Sequence, residues 1–188
     1  LISITEKVHG TSAISAYVLC KQELNWKQKI AKWLTGEEFN KYDYLWSSRS
    51  VIKNKYYNKD VDGGYYDVDL WGIAHKIVQP TLSKGLTVYY EIIGYLPNGG
   101  YIQKDYDYGC VKPVDEYYQL GEHFDVYVYR VTYTDIYGNI KEYPMNVVEQ
   151  FCGDLGLKCV EILDEITVKQ LEDNLGIVEN KEKAIMKE

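Results

Sequence analysis

Glu6-Lys7-Val8-His9-Gly10-Thr11-Ser12 joins two runs of strand-forming residues, and how it is read decides the fold. Residues 1–7 suit a short strand. Gly10 with Thr11 and Ser12 marks a tight turn, and residues 13–21, rich in β-branched and aromatic side chains, predict a second strand. Lys7 is therefore expected at a strand end beside a turn, where a rigid element holds a side chain and the turn leaves it accessible.

Outward from this stretch the periodicity changes. Trp26, Ile30, Trp33 and Leu34 recur at helical spacing with lysines between them and Gly36 after them, so 22–44 reads as a helical insertion whose tryptophans anchor in the core or at its rim. A lysine and aromatic face of that kind also suits a nucleic-acid strand. Residues 45–53 return to a strand around Ser47-Ser48-Arg49-Ser50, and 56–64 read as loop. Leu70, Trp71, Ala74, Ile77 and Val78 predict a helix over 67–78, with Asp67 as N-cap and Pro80 beyond its end. A structural or solvent-facing role is expected for His75 on that helix.

Residues 87–93 form a strongly β-prone run closed by Gly94. It contains Glu91, an acid that is costly in such a strand unless something satisfies it. Asn98-Gly99-Gly100 turns the chain into 101–103, and 125–133 reads as a long strand. Gly138-Asn139 suits a two-residue hairpin into 140–143. Pro144 opens a helix through Leu155, 158–163 reads as a strand, and Thr167 with Gln170 makes a capping-box start for a helix to Leu175. The sum is α+β: antiparallel-leaning sheets flanked by helices, without βαβ alternation or internal repeats. The 20 tyrosines are mostly expected to fill strand faces with an amphipathic ring.

At 188 residues one compact domain is expected. No run of about 18 apolar residues and no signal-peptide pattern occurs, so the default is a soluble cytoplasmic protein with no membrane partner. Cys20, Cys110, Cys152 and Cys159 form no C-x-x-C pair, and free thiols are expected, although their even number leaves a disulfide open. His9, His75 and His123 have no metal-ligand spacing to one another or to the cysteines, and no metal-binding residue is identifiable. The net charge of -7 argues against a protein that simply coats nucleic acid. The charge is uneven, however, with basic residues outnumbering acidic ones between Lys21 and Asp60.

Glu6-Lys7-Val8-His9-Gly10-Thr11-Ser12, Ser48-Arg49, Tyr90-Glu91-Ile92-Ile93-Gly94 and Tyr127-Val128-Tyr129 follow one another in the order and settings seen in covalent nucleotidyltransferases. The chain resembles the ATP-dependent RNA ligases of the phage RNA ligase 2 and kinetoplastid editing type, over most of its length but through short motifs. The resemblance implies a ligase adenylation-domain fold over 1–188, continued past Glu188. It also implies a reaction that uses ATP and Mg²⁺ to rejoin nicked or broken RNA ends, as in RNA repair.

Residue by residue, the resemblance makes Lys7 the nucleophile that attacks the α-phosphate of ATP and carries AMP as a phosphoramidate. Glu6 would contact the adenine, and His9 and Gly10 complete that motif. Arg49 would handle phosphate or the RNA end, and Glu91 would hydrogen-bond the ribose. Tyr129 would stack on adenine, with Tyr127 the alternative if the strand register is off by two. The residue types suit these tasks. A lysine amine, ordinarily near pKa 10.4, needs neighbouring cations or desolvation to attack; arginine offers a planar, permanently charged fork to phosphate; a carboxylate accepts from a ribose hydroxyl. His9 stands where DNA ligases of this superfamily usually have Asp, which favours RNA.

The chain departs from the family at Ser12, where Asn is common, and at Arg130, where Asp is usual. The family's later acid-glycine strand and the Lys-x-Lys strand that follows it are not recognised in this chain and are expected after Glu188. A DNA ligase or another nucleotidyltransferase is the nearest alternative. A truncated, non-catalytic domain that binds a nucleotide or an RNA end is the alternative of a different class.

Overall fold

The computed structural model describes residues 2–21, 23–36, 39–55, 65–114 and 117–174. The chain forms two compact units, Leu1–Lys7 with Val160–Glu188, and Val8–Cys159. Both are mixed α and β with antiparallel strands, in keeping with the α+β expectation. Among the described residues no helix is long and apolar enough to cross a membrane.

In the smaller unit, β1 (Ile2–Thr5) pairs antiparallel with β9 (Ile162–Ile166), Ile2 opposite Ile166, with an irregularity at Ile4/Thr5. Beyond β1 the Glu6 N–H still donates to the Glu161 carbonyl at 2.9 Å, and Glu6 and Lys7 are exposed. Thr167 and Gln170 cap each other reciprocally at the start of α4 (Val168–Asn174), as their spacing predicts. Leu175, the expected end of that helix, lies outside the described residues.

The larger unit is a seven-stranded sheet. Its strands are β2 (Thr11–Lys21), β3 (Asn40–Ser47), β4 (Ile52–Asn54), β5 (Leu86–Gly94), β6 (Phe124–Thr134), β7 (Ile140–Glu142) and β8 (Lys158–Cys159). The order is β4-β3-β2-β5-β6-β7, all antiparallel, with β8 joined to β6. The β6–β8 pairing is parallel and was not expected. It is only two residues long, too short to write a pattern into the sequence.

Alternation along the strands gives the sheet one apolar face. Ala13 of β2, Val88, Tyr90 and Ile92 of β5, and Val126, Val128 and Val131 of β6 are buried there. Helix α2 (Leu70–Val78) adds Leu70, Trp71, Ala74 and Val78 to this core, and α3 (Met145–Leu155) adds Val148 and Cys152. Methyl-rich strands buried against two helix stripes dominate the stability, at roughly 1.5–3 kcal/mol per large aliphatic side chain.

Several local expectations are corrected. Helix α1 occupies only Trp26–Thr35, held by an Asn25–Gln28 capping box and ended by Gly36 at φ 69°. Residues 40–44, expected to finish the insertion, begin β3. None of the α1 side chains is buried, so its tryptophans are not core anchors. The run 45–53 is a hairpin, because Ser48 accepts from the backbone of Ser50 and Val51 and turns the chain between β3 and β4. The loop expected over 56–64 lies outside the described residues. The cap of α2 is Asp69 rather than Asp67. Its carboxylate makes no capping bond because it is held instead by Lys53 Nζ at 2.6 Å and the Trp46 indole N–H at 3.2 Å. The β6–β7 loop spans five residues, organised by Asp135 accepting from the backbone N–H of Tyr137 and Asn139. The strand expected over 158–163 is broken into β8 and β9. The four cysteines are free thiols, with Cys152 buried and the others partly exposed.

Candidate functional site

The face of the sheet opposite the core carries a polar row. Ser12 of β2 is opposite Glu91 of β5, Glu91 is opposite Tyr127 of β6, and Tyr127 is opposite Lys158 of β8. One side chain from each of four neighbouring strands therefore projects to the same side, which the period-two alternation requires once Tyr90, Ile92, Val126 and Val128 are buried beneath. Glu91 is half-buried, between a hydroxyl on one side and a phenol on the other.

Tyr129 joins the row through a β-bulge. Tyr89 pairs with Arg130 and Tyr90 with Val128, so Tyr129 is the extra residue of β6. Its phenol is 3.2 Å from Ser12 Oγ, two strands away. Both tyrosines weighed from the sequence thus lie on this face, Tyr127 directly opposite Glu91 and Tyr129 reaching across it. Arg130 pairs with Glu142 at 2.8 Å and stacks on Tyr89 with its guanidinium carbon 4.9 Å from the ring centroid. The Glu142 carboxylate raises the Arg130 pKa, and Arg130 Nε is buried without a hydrogen-bond partner.

His9 and Gly10 enter the same face from the start of β2. A Cβ on Gly10 would lie 2.3 Å from the Ile92 carbonyl oxygen, so only glycine lets the chain run this close to β5. The His9 backbone N–H donates to the Tyr108 hydroxyl at 2.6 Å, and the His9 ring stacks on Tyr106 with centroids 4.6 Å apart. Tyr108 in turn lies 6.4 Å from the Tyr127 ring. The sequence reading missed Tyr106 and Tyr108. They stand on the loop 104–110, whose backbone reaches φ 68° at Asp105 and φ 53° at Tyr108, conformations that side chains other than glycine adopt uncommonly. The alternation Asp105-Tyr106-Asp107-Tyr108-Gly109 was the available signal.

Lys158 was also missed. Its ammonium pairs with the Asp125 carboxylate and sits 5.5 Å from the Tyr127 ring centroid. Hydrogen bonding to Asp125 raises its pKa, keeping a permanent cation at the end of the polar row.

The remaining predicted residues are distributed as follows. Arg49 is exposed at the β3–β4 turn, two residues beyond Ser47, which pairs with Ile14 of β2. Lys7 and Glu6 belong to the smaller unit, and Lys7 precedes by one peptide bond Val8, which is buried in the larger one.

A cleft of about 550 Å³ opens elsewhere in the larger unit, between β3 and α2, lined by Tyr44, Trp46, Asp69 and His75 among others. None of the predicted site residues lines it. His75 there stacks on Trp46, accepts or donates to Ser15 Oγ at 2.9 Å, and is held by burial at a pKa of about 4, so it is a neutral structural group.

No three His, Cys, Asp or Glu side chains gather into a metal-ligating group among the described residues. Mg²⁺ commonly needs only one or two protein carboxylates, with substrate phosphates and waters completing its shell. The polar face offers aromatic surfaces, a carboxylate and an ammonium paired with Asp125. No protein-family model and no curated protein sequence matches the chain.

Proposed function

We propose that the chain performs the nucleotidyl-transfer chemistry of an ATP-dependent RNA ligase. The observation that carries this reading is the row Ser12, Glu91, Tyr127 and Lys158, with Tyr129 held across it and His9 and Gly10 at its edge. Of the residues picked from separate motifs, His9, Gly10, Glu91, Tyr127 and Tyr129 share one sheet face, whereas Arg49 stands at the β3–β4 turn and Glu6 and Lys7 belong to the smaller unit.

In this reading the adenine stacks on Tyr129 or Tyr127, and Glu91 accepts from the ribose. Lys7 Nζ then attacks the α-phosphorus, so that a phosphorus–nitrogen bond forms, the bond to the β-phosphate breaks, pyrophosphate leaves and the amine loses a proton. AMP passes from Lys7 to an RNA 5′-phosphate, and a 3′-hydroxyl displaces it to join the ends. Bound Mg²⁺ would offset charge on the phosphates. A cytoplasmic setting, including that of a phage-infected host, belongs to the same proposal.

Competition separates this reading from its neighbours. Sealing of nicked RNA should depend on ATP and resist excess GTP or NAD, with nicked DNA a poorer substrate. Sealing that used GTP or NAD, or that preferred DNA, would replace the RNA ligase with another nucleotidyltransferase.

A further inference from the structure

Helix α1 displays an apolar strip to solvent. Trp26, Ile30, Trp33 and Leu34 are 68%, 48%, 83% and 68% exposed, far from what four large apolar side chains at helical spacing normally show. The same spacing puts Lys29 along one side of the strip and Lys27 along the other. Lys27 Nζ lies 5.6 Å from the Trp26 ring centroid, and the helix sequence contains no acid. We infer that this strip is a second docking surface for single-stranded RNA, on which unpaired bases stack on Trp26 and Trp33 while the lysines meet the phosphates.

Flat aromatic rings flanked by cations are what a single strand needs, because every base has a stacking face and every linkage a charge. The two tryptophans are seven residues apart, about 10 Å along the helix axis. That is roughly three base steps at the ~3.4 Å rise of a stacked strand. Charge complementarity favours a strand over a lipid surface. The chain as a whole carries a net charge of -7, which would face a broad anionic bilayer. A strand tracks the strip itself, where Lys27 and Lys29 flank the rings, and charges more than a Debye length of about 8 Å away are screened from it.

Position gives the surface a use. Helix α1 leaves the sheet after Lys21 and returns at Asn40, and these two residues pair with each other. The strip is therefore tethered at the far end of β2, ten residues from Thr11, about 30 Å at the usual rise of a strand. Nucleotides held there would be several positions away from a reacting end near Ser12. The choice of RNA rests on the ligase reading; the stacking strip itself does not.

The test titrates the intact protein with a long 5′-hydroxyl oligouridylate, which cannot be sealed, and follows tryptophan fluorescence. Quenching is expected, with affinity lowered roughly ten-fold or more in a Trp26→Ala/Trp33→Ala variant. A Lys27→Glu/Lys29→Glu variant should bind more weakly and with a shallower salt dependence. Both variants should still label Lys7 with ATP, since the altered residues are exposed and their helix joins the end of β2 opposite Ser12. Affinity unchanged in both variants overturns the inference. So does binding to anionic vesicles that RNA fails to displace, or a dimer that the tryptophan variant dissolves while RNA binding stays the same. Failure of the unaltered protein to label Lys7 would overturn the ligase reading instead, and is read separately from RNA binding.

Discussion

The Tyr129 phenol meets the Ser12 hydroxyl at 3.2 Å although β5 lies between the strands that carry them. The bulge at Tyr129 gives β6 one residue more than β5 at this point, and the extra side chain leans over the sheet instead of standing upright beside Glu91. Ser12 thus holds the aromatic ring proposed to stack on adenine.

Ring and hydroxyl can be separated by substitution. Base–aromatic stacking contributes about 1–3 kcal/mol, so Tyr129→Ala should weaken ATP binding roughly five-fold to a hundred-fold. Tyr129→Phe loses only the bond to Ser12, about 1 kcal/mol at most, and should stay within about five-fold of the unaltered protein. Calorimetric titration with ATP measures both. Equal losses in the two variants would assign the effect to the hydroxyl and not to stacking.

Glu91 is assigned to the ribose, which a double-mutant cycle can test. Glu91→Ala should weaken ATP binding by about 1.5–3 kcal/mol, the range for a hydrogen bond to a charged group. The same substitution should cost much less against 2′,3′-dideoxy-ATP, because the hydroxyls it would have bound are gone. Additive losses would show that Glu91 does not touch the ribose.

The elements legible in the sequence are those whose pattern matched their burial. The alternation in β5 and β6 and the 3.6-residue spacing of Leu70, Trp71, Ala74 and Val78 all describe one apolar face meeting another. The capping pair Thr167 and Gln170 is local chemistry and was equally readable. Helix α1 misled, because its spacing is that of a buried stripe while its side chains face solvent. The β3–β4 hairpin was hidden because Ser48 makes the turn without glycine or proline. Within the candidate site the motifs pointed to Glu91, Tyr127 and Tyr129, which one sheet face collects. Lys158 arrives by a parallel bridge, whose pairing at long sequence separation leaves no local trace, and Tyr106 and Tyr108 arrive on a loop marked only by the Asp-Tyr alternation over 105–108.

His75 makes stability depend on pH. Burial moves it from its ordinary 6.5 to about 4, against a smaller opposing pull from Asp69. Between these values the unfolded chain takes up a proton that the folded chain refuses. The stability is therefore fully present above pH 6.5 and falls as pH drops towards 4, by about 3 kcal/mol from this group. Denaturant titrations across that window should show a shallower fall for His75→Gln than for the unaltered protein. Parallel curves would place the proton uptake on other groups.

The central claim is that Lys7 becomes covalently adenylylated, and peptide mapping after incubation with α-labelled ATP and Mg²⁺ tests it most directly. The account predicts an acid-labile, base-stable label on the peptide containing Lys7, absent from a Lys7→Ala variant. A Lys7→Ala variant that labels as well as the unaltered protein, or a label on another residue, would contradict it.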